Sequence, residues 1–220
     1  MSKFIAFDVD GTILNSWPVF EQEMVKYSAE QNMPQPCLDS IRHGYAFPHE
    51  VDFKWGLELH EQKPHLHNVY RRIDEHVAGV IPPLYDGALE FLQALKKRGY
   101  TLGIVTSKPS EPMAAVLKHY DLEPVFCGVR TSCDVRLRKE REKPAPDQLL
   151  SLAKELSFTP EQTVMIGDTT MDIHMGLAAG AHTIGVTWGN HCANRLTEAG
   201  AHNIASRDYD EVMSYITDLS

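Results

Sequence analysis

Cysteine is scarce in this chain, and what there is follows no pairing pattern. Cys37, Cys127, Cys133 and Cys192 are scattered along 220 residues with no Cys-x-x-Cys spacing, which argues against a zinc site and against the disulfide-dense scaffold of a small secreted domain. Long apolar runs are missing as well. No stretch approaches the roughly 20 residues that a membrane-spanning helix needs, and the chain enters its first apolar segment without a signal-peptide pattern. The expectation is a cytoplasmic protein with reduced thiols and no membrane partner. Positive charge is also in short supply: 21 Lys and Arg stand against 30 Asp and Glu, a formal net charge of −9. That balance disfavours a nucleic-acid surface, which needs clustered cations against phosphates. A small anionic ligand is not disfavoured in the same way, because one local site can be positive on an acidic protein.

What is present suits an ordinary globular protein, with 43% hydrophobic and 23% charged residues. Its length allows one large domain or a core carrying a smaller insert. The stretch that organises the rest is Lys3 to Thr12, KFIAFDVDGT. Phe4, Ile5, Ala6 and Phe7 form a nearly continuous apolar run, as expected of a strand buried on both faces of a parallel sheet. Asp8 and Asp10 follow where that strand should end, and Gly11 permits a tight turn. Parallel sheets collect ligands beyond the carboxyl ends of their strands, so the acidic pair belongs in a crevice. An Asp-x-Asp-Gly string by itself also suits a solvated turn. An EF-hand calcium loop would need Gly and Glu where Ile13 and Val19 stand, and is excluded.

From about Ser16 to Pro83 the pattern is helical, without a convincing buried strand. Val19, Phe20, Met24 and Tyr27 recur at helical spacing, and further helices are expected over Leu38 to Glu61 and Leu66 to Val77. The expected division is a core of residues 1–15 and 84–220 interrupted by a helical insert of residues 16–83. After the insert, helices and strands alternate. Strands are expected at Tyr100 to Val105, Pro124 to Cys127, Thr163 to Ile166, His182 to Val186 and Asn203 to Ala205. Such alternation implies an α/β, Rossmann-like parallel sheet with right-handed crossovers.

Four strand ends then carry polar groups: Asp8 and Asp10, Thr106 with Ser107, the Lys143 region, and Asp168 with Asp172. In this order, FDVDGT, IVTS, EKPAPD and GDTTMD resemble the signature motifs of the haloacid dehalogenase-like superfamily of phosphohydrolases. The insert resembles that superfamily's type C1 cap. LYDGALEFLQALKKRGY, VTSKP, KPAPD and HTIGVTWG look most like the phosphoglycolate phosphatases and their relatives.

The resemblance implies a magnesium-dependent phosphatase of a small phosphorylated metabolite, phosphoglycolate being the leading substrate, working as a monomer or homodimer. Asp8 matches the nucleophile and Asp10 the general acid/base. Mg²⁺ would be held by Asp8, the Asp10 main-chain carbonyl and Asp168, with Asp172 orienting that shell. Thr106, Ser107 and Lys143 match the groups that bind the transferring phosphoryl. Singly, Thr106 reads as a satisfied strand-end threonine, Lys143 as a solvated lysine, and Asp168 or Asp172 as a helix cap. Their joint occurrence carries the functional reading. A phosphosugar mutase on the same scaffold is the alternative, and a non-catalytic module with the same fold comes after it. Within the insert, Arg42, Lys54, Arg71 and Arg72 are candidates to grip a substrate carboxylate. His43, His49, His60, His65, His67 and His76 are expected on solvated surface. Arg136 to Lys143, RLRKEREK, is expected to be a solvated loop.

Overall fold

The computed structural model describes residues 3–38, 41–42, 59–77 and 81–219. Its centre is β1 (Phe4–Phe7), buried at every position. β2 (Thr101–Val105) and β4 (Thr163–Gly167) flank β1 in parallel, pairing Phe7 with Ile104 on one side and with Ile166 on the other. β3 (Gly128–Arg130), β5 (His182–Val186) and β6 (Asn203–Ala205) complete a six-stranded sheet of order β3-β2-β1-β4-β5-β6. Every pair is parallel, so all strand ends that carry the polar motifs open on one edge.

The two faces of β1 are covered separately, as strand alternation requires. Ile5 and Phe7 enter a cluster with Phe91, Leu92, Leu95, Val212 and Ile216. Phe4 and Ala6 enter another with Leu149, Leu152, Met165 and Met175. Apart from Met165 of β4, these side chains come, in chain order, from α3 (Ala88–Lys97), α6 (Asp147–Glu155), α7 (Thr170–Ala179) and α9 (Tyr209–Asp218).

Between β1 and α3 the described residues include α1 (Trp17–Glu30) and α2 (Leu59–Val77). They pack through an apolar cluster of their own, built on Phe20, Met24, Tyr27, Ile41, Leu66 and Val69. The chain leaves and re-enters the core side by side. Leu14 bridges Leu84, Asn15 N donates to Pro83 O at 2.8 Å, and Tyr85 N donates to Ile13 O at 2.9 Å. α2 runs unbroken through Pro64, whereas the sequence suggests a break before Leu66. The expected helix over Leu38 to Glu61 falls largely outside the described residues.

Two further differences bear on the site. The third strand begins at Gly128 rather than Pro124, because Val125 N turns back to Leu122 O while Phe126 packs edge-on against Phe7. The RLRKEREK stretch is partly helical: α5 (Ser132–Arg138) follows α4 (Ser110–His119) and β3, opened by a capping box in which Thr131 N donates to Asp134 Oδ2 at 2.9 Å. Arg141 then donates to both carboxylate oxygens of Asp147, at 2.8 and 3.1 Å. This folds the extra length away and brings Lys143 to the sheet edge where β1 ends, within reach of Asp8. A short α8 (Ala193–Glu198), also unanticipated, follows β5.

Candidate active site

The backbone at the end of β1 sets the site. Asp8 N continues the ladder to Ile166 O at 2.9 Å, so the Asp8 side chain emerges between the ends of β2 and β4. Asp168, just after β4, and Asp172, in the first turn of α7, approach it. One oxygen from each of Asp8, Asp168 and Asp172 lies within 4.8 Å of the others, a spacing at which three carboxylates can share one cation. Lys143 joins the cluster, its Nζ 2.7 Å from Asp8 Oδ1 and 2.6 Å from Asp172 Oδ1.

Each buried carboxylate has its own anchor. Asp172 Oδ2 accepts from Thr169 N at 3.1 Å and from Thr169 Oγ1 at 2.7 Å, so the residue caps α7 with one oxygen and faces Lys143 with the other. Helix cap and site residue are the same group. Asp168, fully buried, accepts from Thr12 Oγ1 at 3.3 Å and from Asn190 N at 2.8 Å. Gly11 and Gly189 make room for it: a Cβ at either position would run into the Asp168 carboxylate. Asp10 pairs with Lys108, Nζ to Oδ2 3.0 Å, while its Oδ1 is buried with no hydrogen-bond partner among the described residues.

Burial dominates the electrostatics. It pushes the Asp8 carboxyl from 3.8 up to about 7; Lys143 opposes the shift, and Asp172 and Asp10 add to it. Burial likewise holds the Asp168 carboxyl well above the ordinary range, with Asp8 and Asp172 reinforcing it. For Lys143, burial pulls the ammonium down, but the carboxylates of Asp172 and Asp8 outweigh it and hold the group above its usual value. Three carboxyl groups, of Asp8, Asp168 and Asp172, meet a single ammonium, that of Lys143, so acidic groups outnumber basic ones at the centre of the cluster. Closely spaced carboxylate oxygens in a hydrogen-bonded cradle suit a hard ion such as Mg²⁺ or Ca²⁺.

Asp8, Asp10 and Asp172 line a cavity of about 570 Å³, and the fully buried Asp168 does not. Thr106, Ser107 and Lys143 line it, as does Lys108. The Thr106 side chain is buried, and its hydroxyl accepts from Lys108 N at 3.1 Å, tying down the loop after β2. The opposite wall is mostly apolar: Val19 and Phe20 of α1, Tyr70 and Ile73 of α2, and Pro82.

Of the candidate anion-gripping residues, Arg42 donates to Trp188 O and Gly189 O, and Arg72 pairs with Glu23 and Glu30. Both brace structure in this conformation. Arg71 does not line the cavity. His67 does, whereas His65 Nδ1 lies 2.9 Å from the Tyr27 hydroxyl. His43, His49 and Lys54 lie outside the described residues, as do the side chains of His60 and His76. Sequence reasoning missed Lys108, Thr12, Gly189 and Asn190. Lys108 had a signal, since it follows Thr106 by two residues in VTSKP; Asn190 had none, because it acts through its main-chain amide.

This assembly of strand-end carboxylates, lysine and parallel sheet defines a class. Residues 5–186 match the haloacid dehalogenase-like hydrolase family. The phosphoglycolate phosphatase of Haemophilus influenzae is 31% identical over 200 residues, covering 85% of this chain and 86% of its own. The N-acetylmuramic acid 6-phosphate phosphatase of Pseudomonas aeruginosa is 31% identical over 194 residues, covering 85% and 82%. In fold, the chain is similar to a HAD family hydrolase from Deinococcus radiodurans solved with bound phosphate and sodium, at a TM-score of 0.78 and 22% identity over 99% of this chain and 96% of that one. The chain belongs to the haloacid dehalogenase-like hydrolase family. Within it the chain is a phosphatase, a hydrolase of phosphoric monoesters.

Proposed function

We propose that the protein hydrolyses small organic phosphate monoesters with Mg²⁺, in two displacements through an aspartyl-phosphate on Asp8. The observation that carries this reading is the meeting of Asp8, Lys143 and Asp172 in the lining of one cavity, with the buried Asp168 carboxylate close enough to share a cation with Asp8 and Asp172. Lys143 occupies Asp8 Oδ1, which leaves the other oxygen to attack phosphorus. As that bond forms and the ester P–O bond breaks, Asp10 gives its proton to the departing alkoxide. It then takes a proton from the water that attacks the acyl phosphate, which returns Asp8.

Asp8, the Asp10 main-chain carbonyl and Asp168 would hold Mg²⁺, with Asp172 keeping Lys143 and the α7 N-terminus in register. When bound, the ion supplies charge neutralisation for the phosphoryl oxygens. Lys143 and the Thr106–Lys108 loop, which line the same cavity, supply the rest. Monoester hydrolysis can require accelerations up to about 10²¹-fold, roughly 28 kcal/mol of barrier, so preorganised charge must do most of the work.

Residues 16–83 are read as a cap that excludes bulk water and selects the substrate through the wall of Val19, Phe20, Tyr70 and Ile73. Phosphoglycolate is the first substrate to test, supported by the Haemophilus influenzae relative. The cytoplasm is the proposed compartment, in keeping with four unpaired thiols. The test is a phosphate-release screen over a panel of monoesters with Mg²⁺, beside an Asp8→Asn control. Release by the wild type alone supports the reading. Release by both removes Asp8 from its role, and conversion of a hexose 1-phosphate to the 6-phosphate without release assigns a mutase instead.

A further inference from the structure

Lys108 has so far entered only as a charge. Its surroundings give it a narrower task. The loop that carries it is fixed on both sides: Lys108 N donates to Thr106 Oγ1 at 3.1 Å, and its carbonyl accepts from Ser132 N at 3.2 Å. The side chain, 6% exposed, runs along the cavity lining to end 3.0 Å from Asp10 Oδ2.

Asp10 differs from the other three carboxylates in how little holds it. Asp168 is fixed by Thr12 and Asn190, Asp172 by Thr169 and Lys143, and Asp8 by Lys143. Asp10 Oδ1 is shut away with no partner, so among the described residues the Lys108 ammonium is the one donor that sets the rotation of its carboxyl group. A proton-transferring carboxyl must present a chosen oxygen to the leaving group within hydrogen-bond reach. Freedom about its terminal torsion, which is broad for Asp, would disperse that geometry.

We propose that Lys108 is a positioning residue for proton transfer: its ammonium holds Asp10 Oδ2, rather than the enclosed Oδ1, toward the cavity, so that the proton carried on Oδ2 faces the departing oxygen. The proposal rests on the phosphatase reading and assigns no new reaction. The proton passes from Asp10 to the leaving oxygen as the ester P–O bond breaks and the Asp8–phosphorus bond forms. Lys108 neither gains nor loses a proton.

Leaving-group dependence tests this. An alkyl phosphate expels a strongly basic alkoxide and needs the proton, whereas a nitrophenyl phosphate expels a stable phenolate and needs it little. kcat/KM reports the first displacement for both. Lys108→Met is expected to lower kcat/KM by about 100-fold for the alkyl ester, near the low end of what general acid catalysis contributes, and by under about tenfold for the aryl ester. Lys108→Arg, which keeps a cation on Asp10, is expected to restore part of the alkyl activity. Circular dichroism melting follows folding, and if Lys108→Met unfolds, Lys108→Gln carries the comparison. Equal losses on both esters would overturn the proposal and make Lys108 a general phosphoryl-binding charge; no loss on either would overturn it outright. Failure of the wild type to release phosphate from any ester would sink the phosphatase reading, and the proposal with it, before any variant is compared.

Discussion

Lys143 Nζ lies 2.7 Å from Asp8 Oδ1, closing a contact across 135 residues of chain. Both side chains are buried, so the pair is expensive to break: removing one member leaves an uncompensated charge in a poorly solvated place. Lys143→Met is expected to cost about 3–5 kcal/mol of metal-free stability, read by denaturant unfolding. It should also lower phosphate release by about 100- to 1000-fold. A variant that kept both stability and activity would detach Lys143 from the site.

The raised Asp8 carboxyl makes a prediction about pH. Its folded-state value near 7 stands above the 3.8 of an unperturbed Asp, so between those limits the folded state holds a proton that the unfolded state has released. Stability without metal therefore falls as pH rises through this window, by an amount on the order of a few kcal/mol from this group. Asp8→Asn cannot ionise and should lack this contribution. In EDTA, melting temperatures of wild type and variant should diverge from pH 5 to pH 8, the wild type losing more, and added Mg²⁺ should recover the wild type most at the alkaline end. Parallel curves would contradict the assignment.

Gly189 offers a separate handle on the metal. A Cβ there would meet both the Asp168 side chain and the Gly11 carbonyl oxygen, shifting Asp168 and the loop after β1 against each other while leaving every charge in place. Gly189→Ala is expected to weaken Mg²⁺ binding by at least about tenfold, or roughly 1.4 kcal/mol, in calorimetric titration. Far-ultraviolet circular dichroism should be unchanged. Undiminished affinity in a folded variant would remove Asp168 from the ion.

Much of this arrangement was legible in the sequence because it is local. Phe4 to Phe7 followed by Asp8 and Asp10 encode a buried strand and its polar end within seven residues, and Asp168 with Asp172 do the same for β4 and α7. Lys143 was legible through its motif, although the intervening length was misread. The Thr131–Asp134 capping box that converts part of it to helix was in plain view. The third strand was placed four residues early because Val125 and Phe126 are apolar for the core, not for the sheet. What stayed hidden depends on tertiary proximity: Thr12 reaches Asp168 over 156 residues, and Asn190 reaches it through a backbone amide, which any residue but proline could offer. The hold of Lys108 on Asp10 belongs to the same group, since nothing in VTSKP says where that lysine points.

The covalent intermediate tests the central claim most directly. Wild-type protein turning over a monoester with Mg²⁺ is quenched in acid and treated with borohydride, which reduces an aspartyl-phosphate to homoserine, and the peptide carrying residues 3–12 is sequenced by mass spectrometry. The account predicts homoserine at position 8, dependent on both substrate and Mg²⁺, and unmodified Asp10 in the same peptide. Sustained phosphate release with Asp8 never modified, or with the modification at another residue, would contradict it.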